Sequence, residues 1–545
     1  MARLTSFGLR LSRFVSRLGS EARAKWGRPD PSALGPWAEA TIDTTSGLLS
    51  VTVEAADITR VRLRHGVGSL TAPLAQVDAT MHQLRLGAME RYGTLTPLRI
   101  GTWHVEARTL DGWKPLLGRK SETGTVVDVA GAVKYRLVSA PEGLQVRSTS
   151  RLHVTQRLAP AQRLRAALLP LQAATRPVEH AVIYECFWGR QVGDNPLAMV
   201  EPIRERFPGI KEYWVISPGR AYAPAGTTPV ARSSPEWYTV LASVEFVVTN
   251  AALPDHFRRR DGQTVLQTWH GTPLKRLGLD MLSFEHMSHG YADSLRQQAA
   301  QWSLLVAPSP MCAEVYPKAF DYAGQMLEVG SPRNDVLVNG ADQAVVVSVR
   351  GKLGLKDGQR VVLVAPTFRD GQHTRVGLEA TGHIDLDALC EALGDGITVL
   401  FRAHNWIDTA ATPVDRTNLV NVSDYPDIAE LYLVTDLLVT DYSSVMFDFA
   451  VTGRPMVFHA PDLEQYRDEL RGWYFDLEAE APGPITRNGE ELASAVAESL
   501  AHGTPSSHLG RYQAFRERFS AWERGDAAVR VADALLEGVQ SQRRR

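Results

Sequence analysis

Cysteine is scarce. Cys186, Cys312 and Cys390 are the three in 545 residues, and they stand far apart. An odd, scattered set excludes a disulfide framework, and the spacing suits no zinc site, which fits a reducing cytosol. Long apolar runs are missing too, so no segment approaches the length of a membrane span. An excess of one charge is also absent. Lys and Arg number 59 against 61 Asp and Glu, a formal net charge of −2, which argues against a nucleic-acid binder. The chain carries no P-loop, no GxGxxG, no HExxH and no GxSxG. His286 and His289 have the spacing H-x2-H, but no Cys or carboxylate constellation completes a metal site around them.

What is present is the composition of a globular protein, 44% hydrophobic and 22% charged, in a chain long enough for two to four domains. Residues 1–27 carry a basic amphipathic pattern. Leu4, Phe7, Leu11, Phe14, Val15 and Leu18 share one helical sector, with Arg10, Arg13 and Arg17 beside it. That pattern predicts a helix lying in a membrane interface on anionic headgroups, and it lacks the apolar centre of a secretory signal. Residues 35–157 alternate apolar and polar positions in short runs such as LLSVTVEA, ITRVRLRH, TWHVEART, GTVVDVA and VKYRLVSA. A β-rich, sandwich-like domain is expected there. Residues 158–177 read as a linker helix interrupted near Pro170.

From residue 178 strand-like runs alternate with helix-length segments: HAVIYE, EYWVIS, VEFVVTN, QTVLQTW, WSLLVAP, RVVLVAP, ITVLFRA, DLLVTD and PMVFHA. Such alternation predicts α/β units in parallel sheets. The run is too long for one sheet. Two doubly wound Rossmann-like domains facing a cleft follow, 178–338 and 339–539, with a crossover near Asp335 to Leu355 and a closing helix at Asp526 to Val539. Ligands of such sheets bind beyond the carboxyl ends of the strands. Polar and glycine residues gather at those ends: Tyr184 to Gly189, His270 to Lys275, Gly330 to Asp335, Thr367 to Asp370, Arg402 to His404, and Asp441 to Ser444. In the last of these, Asp441 or Ser443 is expected to cap the next helix, and Asp448 lies about one turn into it.

WHGTPLK, GSPRNDVL, APTFRD, RAH and TDYSSVMFDFAVTGRP, followed by Tyr466 and RGWYFD and preceded by YECFWGRQVGDNP, resemble the CDP-glycerol glycerophosphotransferases, the teichoic-acid primases and polymerases. The resemblance spans roughly 178–500 and implies the two-Rossmann GT-B fold. It implies transfer of glycerol phosphate or ribitol phosphate from CDP-glycerol or CDP-ribitol to a lipid-linked acceptor, at the cytoplasmic face of the membrane. It implies His270 as general base, a role suited to an imidazole that titrates near working pH. His404 would assist the leaving phosphate, with Arg402 and Ala403 beside it. Gly271, Thr272, Pro273, Leu274, Arg333, Pro366, Thr367, Ser443, Ser444 and Asp448 complete the implied donor site. Arg333 would meet phosphate oxygens with its fork, and Asp448 a hydroxyl of the glycerol or ribose. No cofactor, metal ion or nucleic acid is implied. Two other classes fit the same scaffold, a glycosyltransferase using a nucleotide sugar and a non-catalytic polymer- or membrane-binding protein.

Overall fold

Alternation of exposed and buried side chains along Trp37–Ile42 and Val61–His65 marks strands with one face on a core. In the computed structural model, eleven strands between Trp37 and Ser150 hydrogen-bond into one sheet. Neighbouring strands are antiparallel at every register described except that Trp37–Ile42 runs parallel to Leu117–Ser121. The turn signal Pro141-Glu142-Gly143 joins Val133–Ala140 to Gly143–Ser150, as expected. The structure describes residues 36–543 apart from 44–47, 55–57, 59, 67–70, 87–88, 92–93, 111, 122–125, 130–132, 151, 153–157, 282–289, 368–383, 404–415, 466 and 468–471. The 1–27 segment, His286, His289, His404 and Tyr466 therefore lie outside the described residues. The chain divides into two compact units, one of residues 1–66, 70–89 and 100–149, the other of 67–69, 90–99 and 150–545.

In the second unit the first helix is Ala159–Thr175. It runs unbroken through Pro170, a correction to the expected interruption. Ala166, Leu169 and Ala173 bury one face of it in the core that also holds Trp237, Tyr238 and Leu241. That burial outweighs the one hydrogen bond a proline removes.

Beyond it the strands become apolar on both faces. Numbered within this unit, β1 (Glu179–Glu185), β2 (Lys211–Ile216), β3 (Thr228–Ala231), β4 (Val244–Thr249), β5 (Thr264–Gln267), β6 (Leu304–Ala307) and β7 (Gln325–Glu328) form one sheet in the order 3-2-1-4-5-6-7. All its pairings are parallel. A second all-parallel sheet contains β8 (Arg360–Val364), β9 (Ile397–Phe401), β10 (Leu419–Asn421), β11 (Leu437–Thr440), β12 (Met456–His459) and β13 (Ile485–Thr486), ordered 10-9-8-11-12-13. Each order reverses direction next to its first strand, between β1 and β4 and between β8 and β11. Such a reversal opens a crevice at the carboxyl ends of the strands.

Two consecutive helices link the sheets: Ser506–Phe519 buries Tyr512, Phe515 and Phe519 in the core of the second, and Ala527–Arg543 packs on elements of the first. Helix Ala527–Arg543 starts on the Asp335 carboxylate, which accepts from Ala527 N (3.0 Å) and Ala528 N (2.8 Å). It then packs against Val200–Arg206, where Arg206 Nε bonds Asp533 at 2.6 Å. Asp335 is thus a helix cap, which leaves Arg333 to other partners.

Candidate functional site

Loops leaving the carboxyl ends of both sheets meet at one cavity of about 320 Å³. The first sheet contributes Phe187, Trp188, Arg190, Gln191 and Asp194 after β1, His270 after β5 and Arg333 after β7. The second contributes Ala365 and Pro366 after β8, Arg402 and Ala403 after β9, Pro426, Asp427, Ile428 and Tyr432 beyond β10, and Ser443, Ser444, Val445 and Asp448 after β11.

His270 sits at the cavity wall, between Trp269 (rings stacked, centroids 4.5 Å apart) and Phe187 (tilted, 5.6 Å). Its Nδ1 lies 2.8 Å from the carbonyl of Asn250. A carbonyl only accepts, so Nδ1 carries the hydrogen and Nε2 is the basic nitrogen. Burial lowers the pKa of the ring below the ordinary histidine value, and the positive charge of Arg333 adds to that. The Asn250 contact and Asp194 act against the shift without reversing it. The ring is consequently a neutral base at pH 7.

Backbone strain is concentrated around this wall. Among the described residues six non-glycine positions have positive φ, and four of them, Phe187, Trp188, Asp194 and Trp269, line the cavity or adjoin His270. Left-handed backbone costs such residues of order 1–3 kcal/mol each and persists where its surroundings enforce it. Gly271 completes the turn at φ 155°, and a Cβ there would stand 3.1 Å from Ser444 Oγ and 3.8 Å from Arg333 Nη2. Glycine is what lets the histidine loop of one sheet close on the serine loop of the other.

The next residues of that loop anchor it and are not part of the cavity wall. Thr272 Oγ1 accepts from Cys312 Sγ (3.6 Å), and Leu274 is buried in the core of the second sheet. Beyond Pro273 the chain pairs with 472–474: Tyr474 N donates to Leu274 O (2.9 Å) and Arg276 N to Gly472 O (3.1 Å). The expected donor contacts at Thr272, Pro273 and Leu274 are in this structure framework positions. Thr367 also stands off the wall, its N–H donating to Asp441 Oδ1 at 2.8 Å.

Arg333 is the centre of the polar network. Its Nη1 bonds both oxygens of Asp194 at 3.1 Å, and its Nη2 bonds both oxygens of Asp448 at 3.0 and 2.9 Å. Burial disfavours the charged guanidinium, but the two carboxylates outweigh it and hold its pKa above the ordinary arginine value. Asn334 Nδ2 extends the network to Asp448 Oδ1 and Glu523 Oε1, each at 2.9 Å. Asn195 fastens it to the histidine loop: its Oδ1 accepts from Arg333 N (3.1 Å), and its Nδ2 donates to the carbonyls of Thr268 (3.4 Å) and Trp269 (3.3 Å). The terminal nitrogens of Arg333 thus face carboxylates, and both oxygens of Asp448 face Arg333.

Asp194, Asn195, Asp427 and Tyr432 were not singled out from the sequence. The signal for the first two was the GDNP that ends the YECFWGRQVGDNP stretch. The expected helix cap is corrected as well. Ser444 occupies the cap position of Val445–Ala450 without a side-chain cap bond, and Asp441 Oδ1 instead accepts from Tyr442 N (2.6 Å) and Thr367 N. Arg402 spends Nη1 on the carbonyls of Val422 (3.1 Å) and Tyr425 (2.8 Å), and Ala403 N donates to Ser423 Oγ (2.8 Å). No group of three or more His, Cys, Asp or Glu among the described residues is placed to hold a metal ion.

Glu523 yields a pH prediction. It accepts from Ser331 N and Asn334, and burial raises its pKa from 4.5 to about 8. A carboxyl held neutral in the folded state contributes stability in full below the unfolded value and loses it as pH rises through the folded one. Wild type should therefore lose stability between about pH 5 and pH 8, and Glu523→Gln should flatten that slope. Urea unfolding at several pH values checks it, and parallel slopes for the two proteins would refute it.

The model of the CDP-glycerol:poly(glycerophosphate) glycerophosphotransferase family matches residues 169–537. The chain belongs to that family. Among its members, the teichoic acid poly(glycerol phosphate) polymerase of Bacillus subtilis (strain 168) is 36% identical over 378 residues, 67% of this chain and 50% of that protein. The chain thus spans half the length of that relative. The teichoic acid glycerol-phosphate transferase of Staphylococcus aureus (strain NCTC 8325 / PS 47) is 33% identical over 368 residues, 66% of this chain and 94% of that protein. The solved structure of the wall teichoic acid polymerase TagF is 31% identical, with a TM-score of 0.64 over 72% of this chain and 97% of that one. The family resemblance expected from the motifs is thereby established, and with it an α/β fold similar to that of TagF.

Proposed function

We propose that this chain transfers glycerol phosphate from CDP-glycerol to a hydroxyl of a lipid-linked acceptor in teichoic-acid or related cell-wall polymer synthesis. The observation that carries the reading is His270, a neutral imidazole whose Nδ1–H is tied to Asn250 and whose Nε2 remains basic at the cavity wall. In the proposed step the acceptor oxygen attacks the glycerol-bearing phosphorus while its proton passes to Nε2. The bond from that phosphorus to the bridging oxygen breaks, and CMP leaves with the electron pair. Ser443, Ser444, Pro366, Arg402 and Ala403 form the donor side, with Thr367 behind them on Asp441. His404 is assigned to the leaving phosphate by its place beside Arg402 in the sequence. Arg333 and Asp448 are assigned to holding the two sides of the site together around the donor. The chain's own cations supply the positive charge, and no cofactor enters the scheme.

Two sheets with reversed strand order and loops converging on one cavity support the GT-B reading, with 178–338 and 339–539 as its halves and 35–157 as a β-rich domain. The names of the two relatives favour glycerol over ribitol. The decisive experiment incubates the full chain with CDP-glycerol, CDP-ribitol and a prenyl-diphosphate disaccharide. CMP release and added glycerol-phosphate mass are expected, and turnover of UDP- or GDP-sugars alone would overturn the reading.

Lipid-linked substrate calls for a peripheral position on the cytoplasmic face of the membrane. No helix among the described residues is long and apolar enough to cross one. Residues 1–27 are assigned to the anionic surface. Deleting them is expected to abolish cosedimentation with anionic vesicles while sparing turnover of a soluble acceptor analogue, and undiminished sedimentation would refute the assignment.

A further inference from the structure

Tyr432 lies on the helix Ile428–Val434, is 1% exposed and lines the cavity. Its ring is held edge-on against Phe449, centroids 5.6 Å apart. Yet its hydroxyl has no hydrogen-bond partner among the described residues. A buried, unsatisfied hydroxyl is costly, and on a residue that lines a cavity it points to a ligand group that completes it. Asp427, which caps the same helix, lines the same cavity. One of its oxygens accepts from Ala429 N at 3.0 Å, and the carboxylate has a second oxygen to offer. Asp448, the residue expected to meet a hydroxyl of the donor, already has both oxygens on Arg333.

We propose that Tyr432 and Asp427 form a hydroxyl-recognition subsite, in which the phenol donates to an oxygen, and the carboxylate accepts from a hydroxyl, of the polyol or ribose part of the donor. The subsite rests on the reading of a CDP-activated donor. The chemistry is that of a diol-bearing group. A carboxylate can take a hydroxyl from each neighbouring carbon, and a phenol can reach an adjoining oxygen, which an apolar wall could not do. Burial, Glu430 and Asp194 raise the Asp427 pKa to about 6, so at pH 7 the carboxylate is mostly ionised and able to accept.

Titration calorimetry of CDP-glycerol and of CDP on wild type, Tyr432→Phe and Asp427→Asn tests it. Tyr432→Phe should raise the CDP-glycerol Kd about 3- to 10-fold, the span of one hydrogen bond. The same variant should melt at the wild-type temperature or above, since the hydroxyl it removes bonds nothing else among the described residues. Asp427→Asn retains a capping side chain and should also weaken CDP-glycerol. If CDP weakens in parallel, the ribose occupies the subsite; if only CDP-glycerol weakens, the glycerol does. Wild-type affinity in both variants overturns the subsite. A wild-type chain that binds neither ligand overturns the donor reading itself, and the subsite with it.

Discussion

Replacing His270 with alanine is expected to lower turnover about 10²- to 10⁴-fold, the range for losing a general base, while leaving the affinity for CDP-glycerol within a few-fold of wild type. The split follows from the geometry. Asn195 and Tyr316 hold the loop by donating to its backbone carbonyls at Thr268, Trp269 and Gly271, which the substitution does not touch, so the donor side keeps its shape. The pH profile adds an independent check. Burial lowers the His270 pKa, and a neutral imidazole is the active form, so the acid limb of kcat/KM should fall below pH 6.5, the usual histidine value, and should vanish in the alanine variant. Unchanged turnover, or an acid limb preserved in the variant, would remove His270 as the base.

Arg333→Ala should be the most damaging substitution for the folded state, at about 3–5 kcal/mol, the cost of removing one partner from a buried ion pair. It leaves Asp194 and Asp448 with no cation between them, one from each side of the cavity. A loss of that size is a large part of the 5–15 kcal/mol that typically stabilises a domain, so urea unfolding will register it directly. Donor affinity should fall with it, because the two loops lose their common anchor. Arg333→Lys should fall between the two proteins, since one ammonium cannot span both carboxylates bidentately. An alanine variant within about 1 kcal/mol of wild type would mean that water already screens the network.

The central strands were legible because burial on both faces turns them into apolar runs, and β1, β2, β4, β5, β6, β8, β9, β11 and β12 all lie where such runs predicted them. The four parallel strands that escaped notice, TPVA, QMLE, LVN and IT, are the outer strands of the two sheets. An edge strand is short, keeps one side toward solvent and carries no distinctive pattern. In the eleven-stranded sheet the missed strands include TAPLAQ, with a proline inside it, and MHQLR, with little apolar content. The site was legible as a set of loops and less so as a set of contacts. Strand-end position marked His270, Arg333, Arg402 and Ser444, all of which line the cavity. That Arg333 would spend its fork on Asp194, 139 residues earlier, is a long-range pairing that no local spacing encodes.

The placement of Asp335 bears on how changes at the far end of the chain should be interpreted. Glu523 supports Ser331 and Asn334 from beneath, and the final helix starts on the Asp335 carboxylate, two residues from Arg333. Changes around residue 520 would therefore reach the polar network beside the cavity, although they lie almost two hundred residues from Arg333 in sequence. Affinity tags and fusion partners are better kept clear of Ala527–Arg543 than substituted for any part of that helix.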